Sequence, residues 1–169
     1  MPADIVRALL AGEQVTDLRP SAGGGIPGGA GPFWLSPTDE QVPLKAAYRR
    51  ARELSLPEDA APAGRIRIDG WAEVVGRGRA RLDPERVAAL SSKTVLDLDA
   101  VAGTLGGGEV DVTALRVHRL VQPISVPENL SGLPPDPAAQ PSEPALSDVA
   151  FEARLKGLAD ALPSDLTRP

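Results

Sequence analysis

Val110-Asp111-Val112-Thr113-Ala114-Leu115-Arg116-Val117-His118-Arg119-Leu120-Val121 is the strongest strand in the sequence. Successive side chains of a strand point to opposite faces, so Arg116, His118 and Leu120 share one face, and Leu115, Val117 and Val121 share the other. The apolar side belongs in a core, which leaves Arg116 and His118 exposed or lining a pocket. Upstream, Arg65-Ile66-Arg67-Ile68-Asp69 alternates polar and apolar residues, and the pattern continues through Trp71 to Val75, a second strand. Gly76-Arg77-Gly78-Arg79-Ala80-Arg81 reads as a bulged strand or a basic loop. Asp83-Pro84-Glu85 is a helix start, with an acceptor at the N-cap, proline at the first helical position and an acid in the first turn, and predicts a helix over 84–90.

Outward from this centre, helices and short strands alternate. Ile5, Val6, Leu9 and Leu10 fall at helical spacing, and Gly12 stops that helix. Residues 14–19 are β-compatible and Phe33-Trp34-Leu35 reads as a buried strand. The intervening stretch 22–31 is so rich in glycine that a mobile loop is expected. Apolar residues at 44, 47, 48, 51 and 54 predict a helix over 43–54, and a further short helix is expected over 98–105. The whole is an α+β domain over residues 1–126. A Pro-, Ala- and Ser-rich linker over 127–145, expected to be extended and poorly ordered, leads to a C-terminal amphipathic helix over 146–163. In that helix Ser147 is the expected N-cap, Leu146 staples onto Phe151, and Phe151, Leu155, Leu158 and Leu162 form an apolar stripe. The stripe docks either on its own chain or on a protein partner.

Composition narrows the chemistry. The chain has 169 residues and no cysteine, which excludes disulfides, thiolate metal sites and thiol catalysis. Its single histidine rules out His-rich metal centres within one chain, and no cofactor is expected. Fifteen of the 18 basic residues are arginine, and only five residues are aromatic, so the core relies on Leu, Val, Ile and Ala. The net charge of −5 is uneven: residues 127–169 carry seven acids against three bases, while residues 1–126 are near neutral. A local basic face is compatible with this balance; a high-affinity coat of DNA is not. No apolar run approaches the length of a membrane helix, and the expected location is the cytoplasm.

Several constellations fail their physical tests. Gly23-Gly24-Gly25-Ile26-Pro27-Gly28 matches the letters of a dinucleotide fingerprint, but Gly29-Ala30-Gly31-Pro32 forbids the helix that must follow. No serine sits in a nucleophile elbow. Asp97, Asp99, Glu109 and Asp111 are of the right type to hold magnesium in a nuclease, yet each also suits a helix cap or strand start. His118 titrates near neutrality and so suits an acid or base in a hydrolase. Arg65, Arg67, Arg77, Arg79 and Arg81 suit phosphate recognition along one hairpin, with Trp34 or Trp71 as a stacking surface.

Three stretches resemble the bacterial and archaeal family called domain of unknown function 1802. These are residues 8–19 followed by Gly24-Gly25-Ile26, then Phe33-Trp34-Leu35-Ser36-Pro37-Thr38-Asp39-Glu40-Gln41, then Leu115-Arg116-Val117-His118-Arg119-Leu120. Together they span residues 8–126. Ser36 and Glu40 stand where that family usually shows Tyr and His, and His118 replaces a Tyr. Gly12, Gln14, Asp17 and Arg19 are also similar, in spacing, to the Gly-x-Lys-x-x-Glu-x-Arg segment of ASCH domains in the PUA-like group.

That second resemblance implies a small mixed or antiparallel β-barrel associated with RNA, nucleotides and modified bases, with a pocket where Arg19 grips an anionic group and Asp17 orients it. The resulting expectation is an RNA- or nucleotide-binding module using Gln14, Asp17, Arg19, Trp34, Arg67, Arg116 and His118. The alternatives are a metal-dependent nuclease or other hydrolase, and a protein-interaction module using the C-terminal helix.

Overall fold

The computed structural model describes residues 1, 3–21, 31–37, 62–94, 98 and 108–162. The expected 43–54 helix and the glycine-rich loop at 22–30 lie outside these residues, as does all but Leu98 of the expected 98–105 helix. Helix α1 (Ala3–Leu10) is followed by β1 (Thr16–Pro20), β2 (Phe33–Trp34), β3 (Arg65–Arg81), α2 (Pro84–Ser91), β4 (Glu109–Pro127), a 3₁₀ turn (Pro137–Ala139), β5 (Ser142–Pro144) and α3 (Asp148–Ala161). All pairings are antiparallel, in the order β1-β4-β3-β2, with β5 also on β4. The fold is α+β.

β3 and β4 organise everything else. At about 3.4 Å per residue, a straight 17-residue strand would reach roughly 58 Å, well beyond a domain of this size, so the ribbon has to bend. It does so at two register shifts. One lies between Val74 and Gly76, where β3 spends two steps while β4 advances from Leu115 to Ala114. The other lies between Ile68 and Gly70, whose partners Ile124 and Arg119 are separated by four residues of β4. Pro123 sits in that looped stretch, where its missing N–H removes no ladder bond. The first shift explains a departure from simple alternation: the β4 residues that join the main core are Val110, Val112 and Ala114 before it, then Leu115 and Val117 after it.

One face of the ribbon carries the main core. Ile5, Val6, Leu9 and Leu10 of α1, Val87 and Leu90 of α2, and Phe151, Leu155 and Leu158 of α3 form one cluster with Ala72, Val74, Ala80 and the buried β4 residues. The apolar stripe of α3, Leu162 included, is therefore buried in its own chain. A smaller cluster of Ile68, Trp71, Leu120 and Val126 is joined by half-buried Trp34, Ile124 and Leu133. Residues 128–145 follow the sheet: Pro134 O accepts a hydrogen bond from Trp34 Nε1 at 3.0 Å, Pro137 is buried, and β5 pairs with residues 118–120.

The expected barrel is corrected by the topology. Among the described residues the sheet is open, because β1 and β2 occupy opposite edges and pair only with β4 and β3. Closure would need those edges to meet, and two short strands of five and two residues do not supply the tilt and stagger of a closed cylinder.

The helix ends obey local rules. Asp83 Oδ1 accepts from Arg86 N at 2.9 Å, and Ser147 Oγ from Ala150 N at 3.3 Å, so both expected N-caps form. At the end of α1, Gly12 adopts φ +71°, Gly12 N donates to Leu9 O and Glu13 N to Ala8 O, the paired bonds of a Schellman stop. Gly70 has a different reason for being glycine. A Cβ there would stand 2.3 Å from His118 O and 2.6 Å from a Leu10 methyl, because β4 and α1 both close on that position. Gly70→Ala is expected to lower stability by roughly 1–3 kcal/mol through overpacking against backbone. Gly12→Ala should lose about 1–2 kcal/mol through its left-handed conformation. Urea denaturation of both variants measures these losses.

Candidate functional site

The register between β1, β3 and β4 builds a polar surface from residues far apart in sequence. Arg19 lies opposite Asp111, which lies opposite Arg79; Asp17 lies opposite Thr113, which lies opposite Arg77; Arg81 faces Glu109. Along β3 the exposed Arg77, Arg79 and Arg81 alternate with residues turned inward, Ala80 being fully in the core. The carboxylates hold some of the cations in place. Asp17 is buried and accepts from Arg19 Nε at 2.6 Å. Asp111 Oδ1 accepts from Arg79 Nε at 3.0 Å and from Ser21 Oγ at 3.2 Å, while Glu109 lies 4.0 Å from Arg79. The hydrogen bond and charge of Asp111 raise the pKa of Arg79 above its already high ordinary value, so it stays cationic. Arg79 is nonetheless 60% exposed, and its outward N–H groups face solvent.

Gln14 belongs to the interior. It is 1% exposed; its Nε2 donates to Thr16 O at 2.9 Å and its Oε1 accepts from Thr94 Oγ1 at 3.1 Å. These bonds tie the start of β1 to the chain just after α2, a structural task that composition cannot reveal because Thr94 is 80 residues away.

The second group of expected residues gathers around Trp71. Trp34 lies opposite Trp71, Trp71 opposite His118, and His118 opposite Pro144, one row across four strands. The Trp71 and His118 rings stack with centroids 4.0 Å apart and planes 3° from parallel. Trp71 Nε1 donates to Ser142 Oγ at 3.1 Å, so both indole N–H groups in the row bond to the segment beyond β4. The His118 side chain is 18% exposed, and its Nε2 has neither solvent nor a hydrogen-bond partner. Glu73 Oε1 stands 3.8 Å from that nitrogen, too far for a hydrogen bond but near enough to act through charge. Arg67 Nε donates to Asp69 Oδ1 at 2.7 Å, further along β3.

Arg116 goes elsewhere. Its guanidinium bonds Asp148 in the first turn of α3 and lies 5.0 Å from the Phe151 ring centroid. β1 and β4 are neighbouring strands, as a shared Arg19 and Arg116 pocket requires, but the two side chains part company. Asp111, the partner of Arg19, is five residues from Arg116, roughly 17 Å of strand at ~3.4 Å per residue. Arg19 turns to Asp17, Arg116 to α3. Of the acids considered for a metal, Asp97 and Asp99 lie outside the described residues, and Glu109 and Asp111 face Arg79. Among the described residues no three His, Asp or Glu side chains gather closely enough to hold a metal ion, and no helix is long and apolar enough to cross a membrane.

With the fold and this surface in view, the comparison with known families is direct. The family described as Domain of unknown function (DUF1802) matches residues 1–157, and the chain belongs to it. The match takes in most of α3 as well as the sheet. Searches of curated proteins and of solved structures return no significant match.

The His118 environment yields a pH prediction. Burial lowers its pKa below 6.5, the Glu73 charge opposes this, and the nearby Arg116 charge adds to the lowering. The unfolded chain then binds a proton more readily than the folded one, so stability falls as pH drops through about 6.5 toward the lower folded value. Melting curves between about pH 7.5 and 5.5 should show this loss, with a flatter profile in His118→Tyr, which keeps an aromatic ring but does not titrate there. Arg116→Ala should destabilise by about 1 kcal/mol, losing the ring contact and the tie to α3, in the same urea assay.

Proposed function

We propose that the protein binds RNA or a nucleotide-like ligand through the arginine-bearing end of its sheet. The alternation that leaves Arg77, Arg79 and Arg81 exposed on one strand, with Arg19 in the same registered patch, carries this reading. Side chains two residues apart on a strand repeat at about 7 Å, so the guanidinium groups form a comb suited to successive anionic groups on one extended strand. Guanidinium N–H groups grip phosphate oxygens in pairs, and the rigid sheet beneath limits the entropy lost on binding.

The surrounding charges define the mode. Asp17, Asp111 and Glu109 orient the arginines and temper their field, which favours a short or single-stranded ligand over broad coating of a duplex. Trp71 is already stacked on His118, so affinity on this surface comes chiefly from the phosphates rather than from base stacking. In this reading Asp17 and Arg19 act as a preset pair at the rim. Gln14 supports β1 from below, and Arg116 and His118 brace the neighbouring structure.

Fluorescence anisotropy with a labelled short single-stranded RNA and with a mononucleotide tests the proposal. Saturable binding is expected, weakened about tenfold or more in Arg79→Glu. The slope of log affinity against log salt should fall by about 0.7 for each phosphate contact removed from a single strand. No binding by the wild type, or binding as tight as wild type by Arg79→Glu and by an Arg77→Ala, Arg79→Ala double variant, sinks the proposal.

A further inference from the structure

We infer that a second site, which shares no residue with the arginine comb, binds a small organic anion with an apolar part. It is a cleft of about 270 Å³ between the end of α2, the middle of α3 and the start of β1, lined by Val15, Thr16, Ser92, Lys93, Ala153, Arg154 and Leu158. At about 30 Å³ per water, it offers room for roughly nine waters or one small ligand.

The lining has one sign of charge. Lys93 and Arg154 are cations, and among the described lining residues none is an acid. Arg154 donates from its guanidinium to the Glu13 carbonyl, which fixes the group in place without neutralising it. Half-buried Lys93 follows the last turn of α2, where its own N–H donates to Leu90 O. Its side chain runs beside Gly157: a Cβ on that glycine would stand 3.3 Å from the ammonium nitrogen and 3.5 Å from Cε. A glycine inside a 14-residue helix is less favourable than alanine, and here the missing methyl gives the lysine its path. Arg154, Gly157 and Leu158 are three and four residues apart, so one face of α3 presents the fixed cation, the lysine's path and an apolar floor together. Two cations with no acid beside them among the described lining residues, together with Val15 and Leu158, suit a carboxylate or phosphate joined to a small apolar group.

This inference stands apart from the comb, since it uses none of Arg19, Arg77, Arg79 or Arg81. The test is an amide-resolved NMR titration of the full chain with phenyl phosphate, benzoate and phenol. Saturable shifts at Val15, Lys93 and Arg154 with one or both anions at roughly millimolar affinity, and none with phenol, support the site; the tighter anion names the headgroup. Lys93→Met, which keeps the aliphatic stem, should weaken the bound anion about tenfold, and Lys93→Arg should restore most of it. If Lys93→Met fails to fold, Arg154→Gln takes its place with the same expectation. Absence of saturable shifts with both anions overturns the inference. So do shifts equal in wild type and variant, or phenol binding as well as the anions.

Discussion

The bent β3–β4 ribbon is the constraint on which the other elements depend. Two strands of 17 and 19 residues pair along most of their length, and only the register shifts at Ile68/Gly70 and Val74/Gly76 let them curve over a single core. The same bends divide the sheet into two chemically different regions. On one side of the Val74/Gly76 shift lies the arginine-bearing end with β1; on the other lies the stacked Trp71 and His118 pair, held by β5 and the segment after β4. Close approach at Gly70, where α1 and β4 meet across a missing side chain, locks the two levels together.

Charge is deployed locally rather than in bulk. A chain with net charge −5 still concentrates cations in two places, a row on the sheet within the near-neutral residues 1–126 and a pair beside α3. Each cation group is steadied by a different kind of partner. Arg79 leans on carboxylates of the next strand, whereas Arg154 leans on a backbone carbonyl. The first arrangement tempers the positive field and the second preserves it, so the two surfaces differ in their electrostatics.

What could be read from the sequence was local or periodic. The N-caps at Asp83 and Ser147, the glycine stop after α1, the alternation in β3 and β4 and the apolar stripe of α3 each depend on residues a few positions apart. The unread features are pairings across long separations. Gln14 to Thr94, Trp71 to Ser142 and Arg116 to Asp148 join side chains whose meeting is set by the ribbon's curvature, which no short spacing encodes. The open sheet was missed for the same reason: whether two edges meet is decided by strand length and bend. The cleft beside α3 left one faint trace, a lysine in a chain whose cations are otherwise nearly all arginine.

The hydrogen bond from Arg154 to the Glu13 carbonyl spans 141 residues, and Leu155 and Leu158 on the same helix complete the core that α1 begins. During synthesis, then, the first helix and strand leave the ribosome long before the surface they need exists. Until α3 has emerged, β1 and the inner face of the ribbon remain open to water and to chaperones. Completion of the fold is therefore a late event, timed by the appearance of a helix that emerges long after the strand it covers.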